Sequence, residues 1–254
     1  MIQSLGRGMQ ALFFLSKRKS AGVTQVAEEL GVNKSTAFRI LDTLISFNVV
    51  TQDSNTSKYK LGPGILRLSD QLLKNLDVIS TAKPYMTSLV ESVGESSHLC
   101  MLSNDSAVVI EQIMADSPLA VNAKVGNAEP IYCSSVGKCL LAFCEEDKRE
   151  SILARIDFKP YTNKTITDPE KLRKELDEIV SRGYATDDGE MSEDIMCMAV
   201  PIYNHLGTVL YSVGISGPVN RIKSKADIVP RQLIEAAHKV SEQLGYEPEE
   251  GRQI

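Results

Sequence analysis

Two short helical patterns separated by a glycine-containing turn constrain this chain more than any other feature in it. Thr24 offers an N-cap oxygen ahead of the apolar stripe Val26, Ala27 and Leu30, and Gly31 is a natural stop. Asn33 then caps a second, longer helix expected to run to about Phe47. Helix, tight turn and helix in this order form a helix-turn-helix pattern. An earlier amphipathic stretch, Ser4 to Leu15, with Leu5, Met9, Leu12 and Phe13 at helical spacing, supplies a third helix to pack against it. Ser20-Ala21-Gly22 closes that stretch.

The second helix of the pair has two different faces. Ala37, Ile40, Leu41, Leu44 and Ile45 share one, and Ser35, Thr36, Arg39, Asp42 and Thr43 share the other. Short polar side chains near a helix N-terminus let it sit deep in a major groove, where Arg39 can reach a guanine edge or a phosphate. Next come Val49–Gln52, a polar Ser54-Asn55-Thr56 tip and Ser57–Leu61, which read as a two-stranded hairpin placed as a wing. Alternation puts Lys58 and Lys60 on one strand face, with Tyr59 and Leu61 on the other. Charge separates this segment from the rest. Residues 1–62 hold 8 Lys+Arg against 4 Asp+Glu, whereas residues 63–254 hold 20 against 29. A basic head on an acidic body suggests two domains with different partners.

Beyond Gly62-Pro63-Gly64, the leucine-rich pattern from Ile65 to Ser80 predicts a linker helix within residues 63–80. Residues 81–254 then mix helix and strand. Helices are expected at Tyr85–Val93 (after Pro84), Ser134–Phe143, Asp147–Ile156, Pro169–Arg182 and from about Ser224 to Leu244. Strand pairs are expected at Ser97–Leu102 with Ala107–Met114, and at Met196–Tyr203 with Thr208–Ser216. Antiparallel strands with long helices at both ends indicate an α+β domain.

Several function classes lose ground on the same residues. No apolar run approaches the roughly 18 residues of a membrane span, and Met1–Ser20 lacks the order of a secretory signal, so a cytoplasmic location is expected. The five cysteines include no CxxC pair and read as reduced thiols, not as a disulfide or zinc framework. His98, His205 and His238 have no ligand spacing, so no metal or cofactor is expected. Asp187, Asp188, Glu190, Glu193 and Asp194 read as a solvated acidic loop. Gly137-Lys138 lacks the P-loop frame, and Cys197 has no activating base in view, so no catalytic residue is assigned.

Taken together, these motifs resemble the IclR family of bacterial regulators over essentially the whole chain. The matching segments are Arg7–Leu15, Thr24–Leu30, Asn33-Lys34-Ser35-Thr36 with Arg39-Ile40-Leu41, Tyr59-Lys60-Leu61-Gly62 and Ser134–Ala142. Gly183-Tyr184, Asp187-Asp188 with Glu190, Cys197–Ile202 and Ile215–Pro218 complete the pattern. The resemblance implies an α+β protein: a winged helix-turn-helix DNA-binding domain (1–62), a linker helix (63–80) and a GAF-like effector-binding domain (81–254). It implies double-stranded operator DNA and a small carboxylate-type effector as partners, with homodimers that pair into dimers of dimers. The DNA-binding residues it implies are Arg7, Thr24, Asn33, Lys34, Ser35, Thr36, Arg39, Lys58, Tyr59 and Lys60. For the effector it implies Ser135 and Val136 at a carboxylate-binding turn, Asp187, Cys197 and Ser216 as polar contacts, and Val121 and Glu129 as walls. Glu129 stands where relatives place an apolar wall residue, and Gly214 where some place a second serine. The competing reading is a GAF-like sensor acting through protein contacts, its winged helix used for dimerisation; the hydroxyl-and-Arg face and the Lys wing argue against it.

Overall fold

The computed structural model describes residues 2–68 and 77–248. The chain divides into two compact units, Met1–Leu76 and Asp77–Ile254. The first unit contains α1 (Gln3–Ser16), α2 (Val23–Glu29), α3 (Lys34–Ser46), β1 (Val50–Gln52) and β2 (Tyr59–Leu61). Asn33 caps α3 as expected, its side chain accepting the Thr36 amide at 2.8 Å. Gly31 turns the chain at φ +59°, a conformation that costs glycine little. Thr24, in contrast, is not a cap. Gly22 holds that position, its amide donating to Gln25 Oε1 at 2.9 Å, and Thr24 lies inside the first turn of α2. Ala11, Leu15, Val26, Ala37, Leu41 and Val50 fill the small core. The wing is tied to this core, since Ala21 exchanges both backbone hydrogen bonds with Tyr59. Lys58 lies just outside β2 at the hairpin tip, where Asp53 accepts the Asn55 and Thr56 amides. Gly62 and Gly64 are required by contact: a Cβ at either would lie 2.5–2.6 Å from the Asn48 carbonyl.

Residues 64–68 are helical, and the rest of the predicted linker helix up to Leu76 lies outside the described residues. That helix does not run on to Ser80, because Asp77 is extended and caps the next helix through Ile79 N. This next helix, α4 (Val78–Val93), also starts before the expected Tyr85 and contains Pro84. Proline removes one backbone bond, but the acceptor it strands is the carbonyl of exposed Ser80, where water can replace it. Burial of Ala82, Met86, Leu89, Val90 and Val93 outweighs the lost bond.

The second unit is built on an all-antiparallel sheet in the order β5-β4-β3-β8-β7-β6. Its strands are β3 (Ser96–Ser103), β4 (Ser106–Ile113), β5 (Ala128–Pro130), β6 (Ala185–Asp188), β7 (Ile195–Tyr203) and β8 (Val209–Pro218). The edge strands β5 and β6 carry no period-2 signal of their own and were not anticipated. The remaining helices are α5 (Ser135–Phe143), α6 (Glu146–Leu153), α7 (Pro169–Arg182), α8 (Val219–Lys223) and α9 (Val229–Gln243). The C-terminal helix thus starts at Val229, not Ser224, because the turns after α8 occupy residues 224–228. One core joins Cys100, Ala185 and Ala199 of the sheet to Leu140 and Leu141 of α5 and to Leu172, Leu176 and Ile179 of α7. Helices α4 and α9 pack together and against the sheet.

Candidate functional site

Register places three of the expected effector residues in one row. Asp187 on β6 pairs with Cys197 on β7, and Cys197 pairs with Ser216 on β8. Directly paired residues share a face, and Ala185 and Ala199, two residues along, fix it as the face covered by α5. Ser216 Oγ lies 3.3 Å from His98 Nδ1, extending the row to β3. Burial pushes His98 down to about 4, so it is neutral at pH 7 and acts as a hydrogen-bonding group, not a cation. His98 also explains Gly214: a Cβ there would sit 3.0 Å from His98 Nε2 and from the Met198 carbonyl.

Above the row, Ser134 caps α5 by accepting the Gly137 amide at 3.1 Å. The amides of Ser135 and Val136 are first-turn donors with no intrahelical acceptor. Val136 is fully buried, and Ser135 Oγ is a buried hydroxyl without a hydrogen-bond partner. Buried orphans of this kind call for an explanation, and a ligand is one. Two acids act on the site. Burial first, then the charge of Asp187, raises Glu129 to about 7. Burial raises Asp187 to about 6, against the lowering effect of the Glu190 amide, which donates to its Oδ1 at 2.6 Å. The thiols are inert by the same physics: burial pushes Cys133 up to about 12 and Cys197 higher still. Val121 is tied in through its carbonyl, which accepts Gln112 Nε2 at 3.0 Å.

The acidic loop is only partly solvated. Glu193 and Asp194 are exposed, but Asp187 and Glu190 are buried. Their burial is possible because Lys138 of α5, 1% exposed, is ion-paired with Glu190 and has Glu175 Oε1 at 3.7 Å. Sequence reasoning missed this pair, although a lysine inside the apolar run Ser135–Phe143 signals a buried cation in need of an acid. It also missed Glu95, 1% exposed and gripped through both oxygens by Arg221. Arg221 reaches on to Ser117 Oγ at 3.0 Å and so holds the segment that leads to Val121.

In the first unit, Arg7, Thr36 and Arg39 line one groove between α1 and α3. Lys34, Ser35, Arg39, Lys58 and Lys60 are exposed, as is Thr24 on α2. Ser35 Oγ donates to the capping Asn33 at 2.7 Å, which leaves its lone pairs outward to accept. Tyr59 corrects its assignment: at 2% exposure it is a core residue, and its side chain is not available to a duplex. The alternation that sets Lys58 and Lys60 outward turns Tyr59 inward.

No helix among the described residues is long and apolar enough to cross a membrane. Residues 4–54 match the IclR helix-turn-helix domain, and residues 70–242 match the C-terminal domain of bacterial IclR transcriptional regulators. The chain is 32% identical over 233 residues to the transcriptional regulator KdgR of Escherichia coli, covering 91% of this chain and 89% of KdgR. It is 30% identical over 245 residues to the Escherichia coli transcriptional repressor AllR, covering 96% of this chain and 90% of AllR. An IclR-type regulator from Silicibacter sp. TM1040 has the same fold at a TM-score of 0.83 and 23% identity, with 95% of this chain and 96% of that one aligned. Both halves being matched in order, the chain belongs to the IclR family and is a DNA-binding transcriptional regulator.

Proposed function

We propose that this regulator's grip on operator DNA is set by a small organic or sugar acid bound between the N-terminus of α5 and the Asp187–Cys197–Ser216 row. The observation that carries this reading is the buried, unpartnered Ser135 hydroxyl beside first-turn amides, a geometry that suits a carboxylate. Glu129 and Asp187 then meet the other end of the ligand. Two acids with no cation of their own favour a chain bearing hydroxyl donors over a plain hydrocarbon tail. A thermal-shift screen of organic and sugar acids on the full chain, followed by operator binding with each hit, tests the reading. Stabilisation by a hydroxylated acid that also changes operator affinity is the expected result, and a screen without any stabilising acid sinks it.

The two acids make a pH prediction. Both pKa values are raised on folding, so their protonated forms stabilise the fold at low pH. That contribution is lost as pH rises through about 6 and 7. Glu129→Gln should therefore melt about 2 °C or more above the parent at pH 8 and show no gain at pH 5. Affinity for an anionic effector should fall from pH 6 to pH 8 in the parent and fall less in the variant. Melts at the two pH values and calorimetric titrations check both, and identical pH profiles for the two proteins would refute the role of Glu129.

On the DNA side, α3 enters the major groove and Arg39 reaches a base edge or phosphate, with Lys34, Lys58 and Lys60 on the backbone. Arg39→Ala should weaken operator binding by about 1–3 kcal/mol in a gel shift at fixed salt, and unchanged affinity removes Arg39 from the interface. An excess of four positive charges over residues 1–62 is modest, so the working form is a homodimer (with dimers of dimers) in the cytoplasm that presents two copies to a palindromic site. The exposed α1 stripe Ile2, Leu5, Met9 and Phe13 gives a second copy an apolar surface to cover.

A further inference from the structure

Phe38 has no structural employment in the first unit. It lies on α3 between buried Ala37 and exposed Arg39, and 53% of its surface is open. It belongs neither to the core cluster of the winged unit nor to the partly buried residues packed on that cluster, which include Leu12, Ile40, Leu44, Ile45 and Leu61. Nor does it line the α1–α3 groove that Leu5, Met9 and Phe47 share with Arg7 and Arg39. A partner filling that groove would leave the Phe38 ring uncovered.

Its place on the helix points to another occupant. Ser35, Phe38, Arg39 and Asp42 stand at i, i+3, i+4 and i+7, and all four are exposed. That spacing forms a single stripe along an α-helix, the arrangement by which recognition helices present side chains to base edges. Lys34 lies one turn before Phe38 and Arg39 directly after it. An apolar protein surface covering the ring would have to strip water from both cations. Duplex DNA sets no such conflict, since phosphates receive the cations and the major groove offers one apolar group of its own, the 5-methyl of thymine.

We infer that Phe38 is a specificity-determining residue of this regulator, its exposed ring packing on a thymine 5-methyl group in the operator's major groove. The inference rests on the reading that α3 enters that groove. Ser35, with its proton committed to Asn33, and Asp42 flank the ring as acceptors, so they favour the amino groups of adenine or cytosine beside the thymine.

The test removes one methyl group at a time. A duplex selected from random sequence by the full chain is resynthesised with single deoxyuridines in place of each thymine. Affinities are then measured for the parent, Phe38→Ala and Arg39→Ala at fixed salt. The parent should lose about fourfold at one thymine per half-site, the worth of burying a methyl group. Phe38→Ala should bind the thymine and deoxyuridine duplexes at that position within twofold of each other. Because the ring is exposed, Phe38→Ala should melt with the parent, which separates contact from folding. Equal methyl sensitivity in the parent and Phe38→Ala, or no methyl-sensitive thymine in the parent, overturns the inference. If Arg39→Ala also binds like the parent, the groove reading itself falls; if Arg39→Ala weakens binding while the methyl effect survives in Phe38→Ala, only the role of Phe38 falls.

Discussion

Replacing Lys138 with Met should lower the stability of the effector-binding unit by about 3–5 kcal/mol, the usual consequence of removing one partner from a buried ion pair. Lys138 is 1% exposed and Glu190 7% exposed, so the deletion leaves a carboxylate with little access to water. Glu190 is also structurally committed. Its second oxygen accepts the Ile166 amide at 3.5 Å, and its carbonyl accepts Thr165 Oγ1 at 2.7 Å, so it cannot swing out without releasing the 162–166 segment. Burial already raises Glu190, and without the ammonium nothing of comparable strength opposes that shift. The orphaned acid escapes by taking up a proton, so the loss should be larger at pH 8 than at pH 5. A melting temperature about 10 °C below the parent at pH 8 is expected, with a smaller gap at pH 5. The double variant Lys138→Met with Glu190→Leu should recover more than half of the loss, because the penalty comes from the unpaired charge and not from the missing attraction. A single variant that melts with the parent at pH 8 would show that the pair contributes nothing to the fold.

That pair also shows how far the sequence can be read. Local chemistry was legible wherever a residue's role is set by its near neighbours. Asn33, Ser134 and Asp168 cap α3, α5 and α7 as their side chains predict, and Gly31 and Gly183 turn the chain at positive φ. The helix-turn-helix followed from those signals, and the β7–β8 hairpin from alternation around Asn204-His205-Leu206-Gly207. What stayed hidden depends on partners distant in the chain. Asp187 and Glu190 look like solvated acids until Lys138, some fifty residues earlier, is placed under them. Gly214 looks like a lost serine until His98 fills its space. Edge strands β5 and β6 are three and four residues long, and pairing to β4 and β7 makes them strands. Phe38 escaped notice because it fits neither the apolar face nor the polar face, and that misfit is itself the signal.

The Gly137-Lys138 dipeptide that carries the family resemblance now has a separate physical reason for each residue, and the glycine makes the second large prediction. A glycine inside a helix is normally a liability, and changing it to alanine gains about 1 kcal/mol. Gly8 in α1 has nothing within 4 Å of where a Cβ would go, so Gly8→Ala should stabilise the winged unit by up to about that amount. Gly137 should do the opposite. A Cβ there would lie 2.6 Å from Ile131 Cα and 2.7 Å from the carbonyls of Ile131 and Pro130. All three atoms are backbone, so no side chain can rotate out of the way, and α5 must shift from the turn it presses against. Gly137→Ala should therefore cost about 3 kcal/mol, the upper part of the range for overpacking, despite its better helix propensity. The displaced residues are the first turn of α5, where Ser135 and Val136 point their amides. Stabilisation by whichever acid the thermal screen identifies should fall at least tenfold in concentration dependence, in step with the lost geometry. Opposite signs for two Gly→Ala changes, read by denaturant midpoints for the separate transitions, distinguish close contact from propensity. A Gly137→Ala protein at least as stable as the parent would show that α5 is not pressed against Pro130 and Ile131 and that its N-terminus is not held in place by that contact.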